Sequence, residues 1–237
     1  MTGSVKAICL KAVDYMDNDK MLLLFTADSG KLSVRIKGVK KAQAKLKFCA
    51  QPFCFGEYEL VEKNGRHTVT NCAEIESFRW LVSDVESYYC GCVMLEFCLV
   101  ALQESEPNPQ LFLTLLRSLN TLREVSPKLV LIKFLLESLK ITGFGLSFDQ
   151  CADCGATAFS ALNLNLTQGG AICANCAFGE VYQLTPAETS CLKMVDETPF
   201  ARLQILKYDN RHDGMLRAIS KYIEVFFKKL NSLQYLF

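Results

Sequence analysis

The hydrophobic period of this chain changes once, near Trp80, and that change decides which architectures are open to it. Before Trp80, apolar residues recur at every second position. Lys31 to Lys37 alternates strictly, with Leu32, Val34 and Ile36 on one face and Lys31, Ser33, Arg35 and Lys37 on the other, as a half-buried strand requires. Val5–Tyr15, Met21–Thr26, Phe53–Glu62 and His67–Ile75 share this texture. Ser29-Gly30 and Asn64-Gly65 punctuate the runs, and an Asn-Gly pair favours a tight type I′ hairpin turn.

After Trp80 the spacing is helical. Val85, Tyr88, Tyr89, Cys92, Leu95, Leu99 and Leu102 share one face, as do Leu111, Leu115, Leu119 and Leu122 of the next segment. Between them Asn108 is placed to cap a helix whose first residue is Pro109. A third helix is predicted from about Pro127 to Ile141, stopped by Gly143 and Gly145. Thr185-Pro186-Ala187-Glu188 has the spacing of a capping box, and an apolar stripe from Leu216 to Leu230 predicts a last helix. Five short strands suit a small closed barrel of the OB kind; an SH3-like barrel competes, and strand count does not separate them. The expectation is an α+β chain: an OB-fold barrel at 1–79, then an all-helical domain at 80–237 with an insertion at about 148–183.

That insertion carries Cys151-x2-Cys154 and, after 18 intervening residues, Cys173-x2-Cys176. Two residues between cysteines let both thiolates reach one ion from a tight turn, and two such knuckles complete a tetrahedral site. Four thiolates leave no open position for substrate, so Cys151, Cys154, Cys173 and Cys176 are expected to hold one structural Zn2+. An iron–sulfur cluster remains open with the same ligands. Redox use of either pair lacks the βαβ context that such motifs occupy. The other eight of the 12 cysteines form no second paired set.

The formal net charge is +1, but it is unevenly spread. Lys31, Arg35, Lys37, Lys40, Lys41, Lys45 and Lys47 fall in 17 residues, and the 28 residues from Ser29 to Gly56 contain no acid. Of 26 Lys and Arg, these seven leave 19 elsewhere, against 25 Asp and Glu. A run of cations on one strand face and its following loop suits a phosphate backbone, where each contact releases condensed counterions. An ordinary solvated face is the competing reading. Phe48, Phe53 and Phe55 lie close enough to stack on bases, although core packing suits them better.

Enzymatic signatures are missing. There is no Gly-x-x-x-x-Gly-Lys-Ser/Thr loop and no Gly-x-Gly-x-x-Gly. Neither His67 nor His212 begins the His-x-Glu pattern of a zinc deaminase. Asp14, Asp17 and Asp19 are close in sequence but too few to argue for a metal-dependent nuclease. No catalytic residue is therefore expected. The apolar run Cys90–Leu102 is interrupted by Glu96 and is shorter than the roughly 20 residues a membrane span needs. The first residues also lack the apolar core of a signal peptide. The expectation is a reduced, cytoplasmic protein.

Several segments, taken in order, resemble the RecO family of bacterial recombinational-repair proteins. They are Lys11-Ala-Val-Asp-Tyr-Met-Asp-Asn-Asp-Lys, Gly30-Lys31 with Lys37-Gly38-Val39-Lys40-Lys41, Leu46-Lys47, Gln51-Pro52-Phe53, Gly56-Glu57-Tyr58-Glu59-Leu60 and Glu76-Ser77-Phe78-Arg79. Glu106-Pro107-Asn108-Pro109, Thr142-Gly143-Phe144 and both Cys-x-x-Cys pairs continue the likeness. The resemblance implies an OB-fold, a helical C-terminal domain and a zinc ribbon within it. It implies binding of single- and double-stranded DNA and annealing of strands coated with single-strand-binding protein. It further implies cooperation with RecR in loading RecA, with RecF as an open additional partner, and nucleoid association during repair. The leading alternative is a zinc-ribbon scaffold that joins proteins and touches no nucleic acid. A zinc-dependent nucleic-acid enzyme is a third reading, disfavoured by the closed thiolate set.

Overall fold

The computed structural model describes residues 2–157, 163–167, 169–179, 181–207 and 213–237; His212 lies outside them. The chain divides into two compact units. One holds residues 1–84 and 95–113, the other residues 85–94 and 114–237.

Five strands form the first unit's barrel: β1 (Thr2–Tyr15), β2 (Asp19–Thr26), β3 (Gly30–Ile36), β4 (Phe55–Lys63) and β5 (Arg66–Glu76). The sheet closes in the order β1-β2-β3-β5-β4, with β1 pairing back to β4. All neighbours are antiparallel except β3 and β5, which run parallel over Val34–Ile36 and His67–Val69. This order and mixed pairing exclude a simple up-and-down meander and agree with the OB expectation. Alternation works as read: Val34 and Ile36 are buried with Leu22, Leu24, Tyr58 and Val69, while Leu32 packs at the edge of that core. Asn64 and Gly65 have φ of 52° and 71°, the left-handed pair a type I′ turn needs. Residues 37–54 form successive turns that insert Val39, Cys49, Ala50 and Cys54 into the barrel core.

Helix α1 (Val85–Ala101) gives its first ten residues to the second unit and its remainder to the first. Its buried positions, among them Cys90, Val93, Met94, Leu95, Phe97 and Cys98, cover more of the helix than the single stripe a surface helix would carry. Helix α2 (Pro109–Thr121) starts as expected, with the Asn108 side chain accepting from the Leu111 amide at 3.0 Å. Its Phe112 meets Phe25 edge-on, with ring centroids 5.3 Å apart, inside the first unit.

In the second unit α3 (Pro127–Ile141) is buried along most of its length, against α4 (Pro186–Glu197), α5 (Asp213–Phe226) and a 3₁₀ turn at Phe200–Ile205. Its two buried lysines are paired, as buried charges must be. Lys128 meets Asp213 at 2.8 Å and Lys133 meets Glu137 at 2.6 Å. The capping box opening α4 is complete in both directions between Thr185 and Glu188. Between α3 and α4 lies a three-stranded ribbon of order β7-β6-β8, from β6 (Asn163–Asn165), β7 (Gly170–Ile172) and β8 (Val181–Gln183). It is tied down by the Ala171 amide donating to the Ser147 carbonyl at 2.8 Å. Gly169 is also pressed against Tyr222 of α5 so closely that a Cβ would overlap the ring hydroxyl.

Candidate nucleic-acid groove and metal centre

The outward residues of β1, β2 and β3 and the turn joining β4 to β5 enclose an open groove of 690 Å³. Arg35 and Lys37 enter from β3, and Lys63, Arg66 and His67 from across the β3–β5 seam. Tyr15 and Met21 also line it, and among the described residues no acidic side chain does. Lys63 and Arg66 are exposed and make no ion pair with any described residue, and Lys37 is exposed within electrostatic reach of Asp19. Lys63 and Arg66 lie beyond the basic run in sequence and past an intervening strand, so no local pattern joins them to it. The parallel pairing of β3 with β5 brings them beside it.

The seven cations of the basic run do not share one surface. Arg35 and Lys37 line the groove just described, whereas Lys40 and Lys47 line a second, smaller cleft with Lys20 and Asp14. Lys41 and Lys45 are exposed on the turns that follow β3. Lys31 is elsewhere: its ammonium donates to the carbonyls of Leu99 (3.0 Å) and Leu102 (2.8 Å). The expectation that it joins the others overlooked distance. Six residues of strand separate Lys31 from Lys37, about 20 Å at the usual rise, so a shared face does not mean a shared patch. The bare end of α1 also attracts a cation.

Acids at the ends of β1 and β2, either side of the turn that joins them, reach two of the remaining cations. Asp19 accepts from Arg35 Nε (2.7 Å) and from the Gly38 amide (2.7 Å), and Asp14 pairs with Lys40 at 2.7 Å. The Gly38 amide first, then Arg35, hold the Asp19 carboxyl below its ordinary range; the bond from Lys40 does the same for Asp14. These aspartates thus serve charge pairing. Arg35 also lies over the Tyr15 ring, 5.4 Å from its centroid, and donates to Met16 Sδ at 3.3 Å. Of the aromatics singled out by sequence, Phe53 is buried, Phe48 packs on the barrel core and Phe55 meets Phe112. The exposed aromatic beside the cations is Tyr15.

In the ribbon, the sulfurs of Cys151, Cys154, Cys173 and Cys176 lie within 4.8 Å of one another. Four sulfurs about 2.3 Å from one ion at tetrahedral corners are spaced about 3.8 Å apart, and Cys154 Sγ lies 3.8 Å from Cys173 Sγ. The donor set therefore fits a metal ion. Backbone amides, that of Cys154 foremost, lower the Cys151 thiol to about 6; the Cys173 amide also donates to its sulfur, at 3.4 Å. Cys176 is pushed up by hydrogen bonding to its neighbours, Cys173 first. Sulfurs so crowded cannot all ionise without a cation among them. Cys9, Cys49, Cys54 and Cys72 are buried in the barrel, as small core residues.

A closed five-stranded barrel with a cation-lined groove and a helical unit bearing a four-cysteine ribbon define an OB-type protein with an inserted cysteine module able to hold a metal ion. Residues 1–78 match the family model for the N-terminal domain of recombination protein O, and residues 82–229 match that for its C-terminal domain. The chain belongs to the RecO family. It is 30% identical over 233 residues to DNA repair protein RecO of Clostridium novyi (strain NT), covering 97% of this chain and 91% of the relative. It is 29% identical over 234 residues to DNA repair protein RecO of Clostridium perfringens (strain 13 / Type A), covering 97% and 95%. Among the described residues, no helix is long and apolar enough to cross a membrane.

Proposed function

We propose that this protein binds single- and double-stranded DNA, anneals complementary strands, and so acts as a recombination mediator in DNA repair. The observation that carries this reading is the barrel groove, which no described acidic side chain lines and where Lys63 and Arg66 are exposed and form no ion pair with a described residue, with Lys37 beside them. Two strands approach one another against the repulsion of their phosphates. A cationic surface lowers that barrier for any sequence, because phosphate contacts carry no base information. No bond is made or broken, and the step needs no catalytic residue. Single-strand-binding protein, RecR and the RecA pathway are the partners that family membership supports, with RecF as an additional one. The protein would work in the cytoplasm, at the nucleoid during repair.

The break between barrel and helical domain falls, on this reading, at 79/80. Cys151, Cys154, Cys173 and Cys176 would hold one Zn2+, which supplies a closed cross-link and no reactive position. Of the basic run, Lys37 is the strongest DNA contact, with Lys40, Lys41, Lys45 and Lys47 widening the field. Arg35 would act through the groove wall, and Lys31 would take no part.

The test is annealing of fluorescent complementary strands precoated with single-strand-binding protein, followed across a salt series. Lys63→Glu with Arg66→Glu should slow annealing and weaken DNA binding for every sequence. Each lost phosphate contact would lower the log–log salt slope by about 0.7 to 0.9. Annealing equal to that of the unaltered protein at all salt concentrations would refute the reading and leave the scaffold alternative.

A further inference from the structure

The groove holds more than charge. Tyr15 stands at the end of β1 with 38% of its surface exposed, and Met16 beside it is 64% exposed. Met16 adopts a left-handed backbone, with φ of 52°. A non-glycine residue takes that conformation only where its surroundings hold it there. Two bonds from Arg35 supply the hold: its guanidinium reaches Met16 Sδ at 3.3 Å, and it pairs with Asp19, the residue opposite Tyr15 in the β1–β2 ladder. The same guanidinium covers one face of the Tyr15 ring. Arg35 is thus already neutralised and engaged, and is poorly suited to grip phosphate. It is well placed to hold an aromatic ring upright at the rim of the groove that Lys37, Lys63 and Arg66 also line.

From this juxtaposition we infer that Tyr15, backed by Arg35, is a base-stacking platform that makes the barrel groove selective for single-stranded over double-stranded nucleic acid. An unpaired base lies on the free face of the ring while its phosphates meet the groove's cations. Every base has a π-face, so the contact favours no sequence, and an arginine behind the ring adds to the stacking. In a duplex both faces of each base are already covered, so the platform has nothing to stack on and only the phosphate contacts remain. Arg35 is a positioning residue on this account. The inference rests on the groove being a nucleic-acid site, and it adds which form of nucleic acid the site prefers.

The experiment measures binding of the full-length protein by fluorescence anisotropy to three probes of equal length: a thymidine oligonucleotide, the same strand with abasic sugars, and a duplex. Tyr15→Ala should weaken binding to the thymidine strand by about 5- to 150-fold, the range of one lost stacking contact. It should leave the abasic strand and the duplex unchanged, and Tyr15→Phe should bind all three probes normally. Lys63→Gln with Arg66→Gln should weaken all three. Equal losses on all probes for Tyr15→Ala, or none on any, would overturn the platform. If the lysine–arginine variant still weakened binding in that event, the groove would stand as a phosphate site alone. If that variant were silent as well, the groove itself would be wrong. Thermal unfolding of each variant separates lost contacts from lost fold.

Discussion

At the scale of single residues, the sequence made the charge look simpler than it is. The absence of acid from Ser29 to Gly56 is a fact about the chain, not about the space around it. Asp14 and Asp19, at the ends of β1 and β2, meet Lys40 and Arg35. No local pattern announces this, because ion pairs across a hairpin follow from register and not from spacing. Asp19 accordingly has a testable consequence. Its carboxyl is held below the ordinary value of 3.8, so its contribution to stability is complete above that value and lost as pH falls below it. Asp19→Asn should remove this part of the acid limb in denaturant titrations run from pH 7 downward. At neutral pH the same change leaves Arg35 unneutralised, and the salt slope of DNA binding should steepen by about 0.7 to 0.9. An unaltered slope would show that Arg35 remains committed to Tyr15 and Met16.

At the scale of elements, the local signals were sound. Alternation, the Asn64-Gly65 turn, the Asn108 cap and the Thr185–Glu188 box each depend on neighbours within a few residues, and each stands in the structure where the sequence placed it. The groove was only half legible, since Lys63 and Arg66 reach Lys37 through the non-local β3–β5 pairing. The stacking candidate was missed for the same reason: Tyr15 looks like one more strand residue until its neighbours are known. Lys31 shows how a tertiary demand can override a pattern. The end of α1 presents carbonyls without helical partners, and Lys31 satisfies two of them. Nearby Gly30, at φ of 65°, is packed so tightly on the Glu106 backbone that no side chain fits. Lys31→Met should cost about 1.5–3 kcal/mol of stability, the range for hydrogen bonds that involve a charged group. DNA affinity should hardly change, which equilibrium unfolding and anisotropy on the same sample would check.

At the scale of the whole molecule, the chain divides into two compact units, and the groove belongs to one while the four-cysteine centre belongs to the other. Stripping metal with a chelator, or replacing Cys151 or Cys176 with Ser, should therefore act on the helical unit. The Ser147–Ala171 tie and the contact of Gly169 with Tyr222 carry any loosening of the ribbon toward α5. Amide exchange around Phe144 and Tyr222 should rise, and elemental analysis should show the metal gone. The salt slope of single-strand binding should stay put. A slope that fell with the metal would mean that part of the DNA surface lies outside the barrel.

The seam between β3 and β5 joins segments more than 30 residues apart, and cationic side chains stand on both sides of it. Contacts so remote along the chain form late, after their loop-closure entropy has been met. During synthesis, then, the groove itself is assembled only after Lys63 and Arg66 have been brought beside β3. If the groove is the nucleic-acid site proposed above, its grip is complete only when the seam zips, and partly folded molecules should be retained less well on an immobilised oligonucleotide than folded ones.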